Sequence, residues 1–379
     1  MKNIPLYQKI FDYYYNKITS NQLKEGDKID TEKEISKKFF VSRITARGAV
    51  DMLAERGLVT RISGKGTFVT TTIVPSHDKT KTTMIGIIMC DLESSFGLEI
   101  FKGIEKEANN QDIHIVVRNT YESLSKETSA IKSMAKLGVD GIIIQTVHGE
   151  LYNDLILRMY INGFPLVLID RHMDKTKVPF VTTGNYDSSY QVAKLLRKLG
   201  YKKVSFISAK TSDTSTLDSR YRGFREGWAK RDYYLDLLSL KTPETREKSK
   251  ELIKYDMELI EKHIIDNPEI DCIFAAEYYV AHLVKDVLNK MNKRIPEDIS
   301  IICYDYIMTE PNEKPIFTYI KQNQLEIGEI AVKKLCAIIE EKSIKEFPSF
   351  INCTLVQGSS LDLKGENIDE VNAYEEIVQ

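Results

Sequence analysis

The chain has 379 residues, 42% of them apolar, which exceeds what one small domain needs and suffices for two or three proper cores. A formal net charge of -2 argues against a uniformly basic nucleic-acid binder, and no apolar run approaches the roughly 18 residues of a membrane span. The charge is unevenly spread: residues 1–72 hold 13 Lys/Arg and 8 Asp/Glu, a net of +5, leaving -7 for the remainder, a basic head on an acidic body.

In chain order, the pattern predicts a helix from about Pro5 to Ser20 that buries Ile10, Tyr14 and Ile18. A second helix opens on Thr31-x-x-Glu34, the spacing of a capping box, and buries Ile35 and Phe39. A third follows Ser42, a good N-cap. With Arg43 at zero degrees on a helical wheel, Ile44, Arg47, Gly48 and Asp51 gather on one side and Ala46, Ala49 and Leu53 on the other, with Val50 at the border. One face packs, while the other carries two arginines a turn apart beside the open amides of the helix start, suited to phosphates and base edges. Strands near Leu58 to Ile62 and Thr67 to Thr70 are joined by Ser63-Gly-Lys-Gly66, a tight basic hairpin whose lysine can reach along a groove.

This head resembles the winged helix-turn-helix of the GntR family in Leu6-Tyr-Gln, Thr31-Glu-x-Glu34, Val41-Ser-Arg-x-Thr-x-Arg47, Arg56-Gly-Leu and Gly64-Lys-Gly-Thr-Phe. The resemblance implies sequence-specific binding to double-stranded operator DNA through Thr31, Glu32, Lys33, Ser42, Arg43, Ile44, Thr45, Arg47, Gly64, Lys65 and Gly66. There are two departures. Lys33 stands where the family places an arginine, and a lysine cannot bind phosphate bidentately. Gly48 occupies a helix-former's position at a cost of roughly 1 kcal/mol.

Residues 73–83 are polar, lack an apolar period, and read as a linker between the head, residues 1–72, and a body spanning 84–362. In the body, apolar runs alternate with helical segments. The first series comprises Met84 to Cys90, a helix from about Gly97 to Asn109, Ile113 to Val117, helix Lys126 to Leu137, Gly141 to Gln145, helix Leu151 to Ile161 and Leu166 to Asp170. The second begins with Phe180 to Thr183, then helix Ser188 to Leu199, Val204 to Ser208, helix Tyr221 to Lys230, a helix around Leu252 to Asp266, Cys272 to Ala275, helix Val280 to Met291 and Ile299 to Tyr304. Such alternation predicts parallel sheets covered by helices on both faces, here as two lobes with a cleft between them. Trp228, inside a helix, reads as a packing residue, and residues 363–379 as a solvated acidic tail.

Ligands of open α/β sheets bind beyond the carboxyl ends of the strands, which draws attention to Asp91 to Phe96, Asn119, Gln145, Asp170-Arg171, Asn185, Asp213 to Arg220, Glu277-Tyr278 and Asp305. Carboxylates and guanidiniums that bridge vicinal hydroxyls, with rings to cover C–H faces, suit a polyhydroxylated ligand. The body resembles the LacI-type regulators and their periplasmic sugar-binding-protein fold in Ile85-Gly-Ile-Ile, Gly138-Val-Asp-Gly-Ile-Ile-Ile144, Pro165-Leu-Val-Leu-Ile-Asp-Arg171, Arg220-x-x-Gly-Phe224 and Ile295-Pro-Glu-Asp-Ile-Ser-Ile-Ile302. That implies a sugar effector held by Ser95, Phe96, Gln145, Arg171, Arg220, Glu277, Tyr278 and Asp305, with Phe96 stacking on the ring. The family commonly has Asn-Asp where this chain has Glu277-Tyr278, and Asp-Asp where it has Asp305-Tyr306.

A GntR-type head on a LacI-type sensor is the arrangement of the arabinose repressors of Gram-positive bacteria. It implies a homodimeric repressor of carbohydrate-utilisation genes, released by L-arabinose or a similar monosaccharide. The alternatives are a sugar-binding protein of a transport system and a regulator whose DNA binding is strengthened by its ligand. No enzymatic constellation, metal site or cofactor motif stands out. Cys90, Cys272, Cys303, Cys336 and Cys353 lie singly, as in a reduced core, and Met1-Lys-Asn-Ile-Pro lacks a signal-peptide core, so a soluble cytoplasmic protein without membrane contact is expected.

Overall fold

The computed structural model describes residues 5–20, 22–55, 58–70, 83–147, 153–173, 176–209, 214–230, 233–241, 250–307 and 314–364. Its contacts divide the chain into two units, Met1–Lys81 and Thr82–Gln379. The linker, apart from residue 83, and the tail from 365 onward lie outside the described residues.

The first unit is built of α1 (Leu6–Thr19), α2 (Glu32–Lys38), α3 (Arg43–Glu55) and a hairpin of β1 (Val59–Ile62) and β2 (Gly66–Val69). The expected capping box forms: the Thr31 hydroxyl accepts from the Glu34 amide while the Glu34 carboxylate accepts from the Thr31 amide at 2.7 Å. Ile10, Tyr14, Ile35, Ala46, Ala49, Val50, Leu53 and Leu58 form the core, with Ile18 and Phe39 half-buried at its margin. Strand pairing runs antiparallel from Val59↔Val69 to Ile62↔Gly66. Gly64 and Gly66 take left-handed φ values of 72° and 128°, and a Cβ on Gly66 would meet the Lys28 side chain at 2.4 Å.

The second unit has two lobes. Lobe 1 opens with β3 (Met84–Met89), α4 (Ser95–Asn110), β4 (His114–Asn119), α5 (Leu124–Leu137), β5 (Gly141–Ile144), α6 (Asp154–Ile161), β6 (Leu166–Ile169) and β7 (Phe180–Thr183). The chain then builds lobe 2 from α7 (Asn185–Lys198), β8 (Lys203–Ser208), α8 (Ser215–Trp228), β9 (Tyr234–Ser239), α9 (Lys250–Asp266), β10 (Cys272–Ala275), α10 (Tyr278–Lys290), β11 (Ser300–Tyr304) and β12 (Thr318–Lys321). It returns to lobe 1 for α11 (Gln324–Ile339) and β13 (Phe350–Ile351), and ends in lobe 2 with β14 (Thr354–Val356). The six-stranded sheets run β13-β7-β6-β5-β3-β4 and β14-β12-β11-β10-β8-β9. Pairing is parallel except for β12 with β14.

Runs such as Gly141-Ile-Ile-Ile144 lack alternation because both of their faces are covered. In lobe 1, α4 and α11 pack on one face and α5 and α6 on the other; in lobe 2, α7 and α8 oppose α9 and α10. Burying each Ile or Val side chain of these cores contributes roughly 1.5–3 kcal/mol. Close helix contacts rest on glycine: a Cβ on Gly328 of α11 would lie 2.2 Å from the Ile100 carbonyl oxygen of α4. Trp228 is buried in lobe 2, its indole donating to the Tyr234 carbonyl at 3.0 Å.

Two expectations are corrected. Phe180–Thr183 belongs to the first sheet, where Leu168↔Phe180 and Ile169↔Val181 pair, because the chain crosses only after Thr183. Leu361 and Leu363 pack into the core of lobe 2, so the body continues past residue 362.

Candidate functional site

In the head, α3 presents the expected outer face. Ala46, Ala49 and Leu53 have no exposure, whereas Ile44 is 84% exposed and Arg43 and Arg47 are also exposed. Ser42 caps the helix, accepting from the Thr45 amide at 3.1 Å, and its hydroxyl lies 2.8 Å from that of Thr45. The Ser36 hydroxyl donates to the Val41 carbonyl at 2.6 Å and fixes the turn from α2 into α3. Lys33 and Lys65 are exposed, and a Cβ on Gly48 would meet open space. Thr31 spends its hydroxyl on the cap of α2.

Glu32 does something the sequence reading did not anticipate. Its carboxylate lies 3.4 Å from Arg61 of the hairpin, and Arg61 also donates to Asp51 at 2.5 Å, while Asp51 faces Arg47 at 3.8 Å. Carboxylates on α2 and α3 thus hold the hairpin and one outer-face arginine in a shared surface network. Each exposed pair contributes little stability by itself, so its main effect is on orientation.

In the second unit, the residues brought together are those around Arg220 and Asp305. Thr214 caps α8 by accepting from the Leu217 amide at 3.1 Å, so the helix starts earlier than expected and carries Arg220 within it, not in a preceding loop. The Arg220 guanidinium donates to Asn185 Oδ1 at 2.8 Å and to the Ala276 carbonyl at 2.7 Å, and lies 3.8 Å over the Tyr304 ring. Asp305 accepts from the side-chain amides of Gln322 at 2.6 Å and Gln324 at 3.3 Å. Burial pushes the Asp305 carboxyl above the usual range, opposed by the charge of Arg220 and the Gln322 hydrogen bond, with Asp170 of the other lobe adding like-charge repulsion.

Asp170 and Asp305 stand in matching places, just past β6 and β11. Both have left-handed φ, 63° and 60°, and their amides donate to the Val181 and Ile320 carbonyls, each at 3.0 Å. Asp170 accepts from Gln145 Nε2 at 3.1 Å. Arg171 is enclosed: it donates to the Thr146 carbonyl at 2.6 Å and lies 3.2 Å from Glu122 and 3.7 Å from Asp170. The remaining candidates are placed by their own elements, at the starts of α4 and α10. Ser95 and Phe96 form the first turn of α4, with the Phe96 ring packed against the lobe 1 core. Glu277 precedes α10 without a side-chain cap bond, and Tyr278 lies edge-on to Tyr306 at 5.5 Å.

Gln322 was not anticipated. Its side chain accepts from Thr183 at 2.5 Å and donates to Asp305, so one residue ties two chain crossings and a carboxylate. The Gly184 amide donates to the Ile351 carbonyl at 2.8 Å, joining the third crossing. The polar Gln322-Asn-Gln324 following an apolar strand was the available signal. Among the described residues no group of His, Cys, Asp or Glu is arranged to hold a metal, and no helix is long and apolar enough to cross a membrane.

Comparison with known proteins accounts for both units. The family model described as periplasmic binding proteins and sugar binding domain of LacI family matches residues 82–353, and that of bacterial regulatory proteins, gntR family, matches residues 6–69. The chain is 24% identical over 353 residues to the arabinose metabolism transcriptional repressor of Geobacillus stearothermophilus, covering 92% of this chain and 95% of that protein. It is 26% identical over 284 residues to the ribose operon repressor of Halalkalibacterium halodurans, covering 72% and 78%. Among solved structures, the transcription regulator CcpA of Lactococcus lactis superimposes with a TM-score of 0.61 at 18% identity, over 74% of this chain and all of that one. The chain therefore belongs to the LacI family of periplasmic-binding-protein-like sugar-binding domains, and it carries a DNA-binding head of the gntR family of bacterial regulators.

Proposed function

We propose that the protein is a cytoplasmic, homodimeric repressor of carbohydrate-utilisation genes that leaves its operator when a small neutral sugar such as L-arabinose enters the cleft between the lobes. The observation that carries this reading is the union, in one chain, of an exposed arginine-bearing helix with a two-lobed α/β unit that places Arg220 and Asp305 among buried polar partners. The similarity to a repressor of arabinose metabolism over 92% of the chain supports it. Arg220, Asp305, Asp170 and Gln145 supply the donors and acceptors that vicinal hydroxyls require, and Phe96 and Tyr278 supply rings for the apolar face of a sugar. The protein binds and releases this ligand unchanged, using no cofactor.

Two heads related by dimer symmetry would meet a palindromic operator, with Arg43 and Arg47 at base edges and Lys33 and Lys65 at the backbone. Closing the lobes on sugar shifts the equilibrium only through unequal affinity for the two states, and a thousandfold release corresponds to about 4 kcal/mol of coupling.

Calorimetric titration with pentoses and hexoses, followed by operator binding with and without the responding sugar, tests the reading. A one-site response that weakens operator binding is expected; a response that strengthens it would reverse the sign of regulation, and recovery of altered sugar would indicate an enzyme. The Arg43→Ala and Arg47→Ala variants are expected to lose specific DNA binding by at least a hundredfold while keeping sugar affinity, as read by fluorescence anisotropy and calorimetry.

A further inference from the structure

Among the described residues, the two most exposed large apolar side chains are Phe40, at 95%, and Ile44, at 84%, and both lie in the segment that turns into α3. Ile44 stands in the first helical turn between the exposed Arg43 and the half-buried Thr45, one turn before the exposed Arg47, on the face opposite the buried Ala46, Ala49 and Leu53. It contributes nothing to the packing of the head, whose core is complete without it. Isoleucine also has lower helix propensity than the straight-chain residues usual at a solvated helical position. Exposed arginines on either side make an apolar protein partner a poor match. The same setting suits nucleic acid, since cations held at phosphates and guanine edges would carry the helix start into the major groove.

An isoleucine side chain has no hydrogen-bonding group, so it discriminates bases only by shape and apolar contact. The C5-methyl of thymine is the one apolar group that a base pair presents in the major groove. We infer that Ile44 is a specificity-determining residue that reads a thymine methyl in each operator half-site, between the bases or phosphates engaged by Arg43 and Arg47. The inference rests on the reading of the protein as an operator-binding regulator and goes beyond it by fixing the chemistry of one recognised position.

The test starts from duplexes enriched from a random pool by the full-length protein. Each thymine of the enriched site is then replaced by deoxyuridine, which removes the methyl and leaves every hydrogen-bonding group in place. At one position per half-site the wild-type protein should lose about fourfold in affinity at fixed salt, the factor that burying one methyl group supplies. The Ile44→Ala variant, whose substitution lies on the surface, should bind the thymine and deoxyuridine duplexes within about twofold of each other. Unchanged sugar affinity in that variant would show that it is folded. Equal deoxyuridine sensitivity in wild type and variant, or none in wild type at any thymine, would overturn the inference while leaving the operator-binding function intact. Failure to enrich any duplex would remove that function and the inference with it.

Discussion

Lobe 1 and lobe 2 each bring an arginine to the strand ends, Arg171 and Arg220, but hold them differently. Arg171 lies 3.2 Å from Glu122 and 3.7 Å from Asp170, with side-chain exposures of 8%, 15% and 9% for the three residues. Arg220 is hydrogen-bonded to the neutral oxygens of Asn185 and Ala276 and stacked on Tyr304. Arg171 is thus ion-paired on two sides within its own lobe, as a strut would be. Arg220, by contrast, has no carboxylate among those neighbours, and its charge lowers the pKa of the Asp305 carboxyl. Two arginines that look equivalent in the sequence are thereby divided into one paired with carboxylates and one held by neutral oxygens and an aromatic ring.

The largest effect that would test this contrast is on stability. Arg171→Met leaves two enclosed carboxylates without their cation and should lower the unfolding free energy of the sensor by about 3–5 kcal/mol in urea titrations. A loss below about 1 kcal/mol would show that Arg171 is no strut. Next comes Arg220→Lys, which keeps the charge but loses the planar fork, and should weaken sugar binding by about 10- to 100-fold in calorimetry. Equal losses of sugar affinity from both arginine variants would erase the distinction.

The smallest effect is in pH dependence. Burial raises the folded-state pKa of Asp305, so its contribution to stability is fully present below the unfolded carboxylate pKa of about 4 and is lost as pH rises through the folded value. Asp305→Asn should therefore gain stability relative to wild type as pH rises across that window, and parallel curves would rule out this account of the carboxylate.

Much of this was legible in the sequence. Local rules governed the capping box at Thr31 and Glu34, the glycines of the hairpin, and the buried β-branched runs of both sheets. The assignment of a segment to its lobe was not legible, because β7 carries an apolar run that would fit either sheet and only its pairing with β6 decides. The short, partly exposed strands β9, β12, β13 and β14 lack a continuous apolar run, and they escaped together with α11. In the site, Arg220 was expected just beyond a strand and lies inside α8, since the cap at Thr214 was not recognised. Gln322 escaped because its importance comes from touching Thr183, remote in sequence, as well as Asp305. Glu32 was read as a DNA contact from the family pattern, and its pairing with Arg61 depends on how the hairpin folds back.

The return of α11 to lobe 1 also dictates an order of events during synthesis. Ile327, Ala331, Val332 and Leu335 of that helix, all without exposure, close one face of a sheet whose first strand begins at Met84. A nascent chain has therefore made the whole head, and then nearly the whole of lobe 2, before lobe 1 can be sealed. A message that terminates before residue 324 would yield a DNA-reading head attached to a sensor that cannot finish folding, and quality control would have reason to remove it.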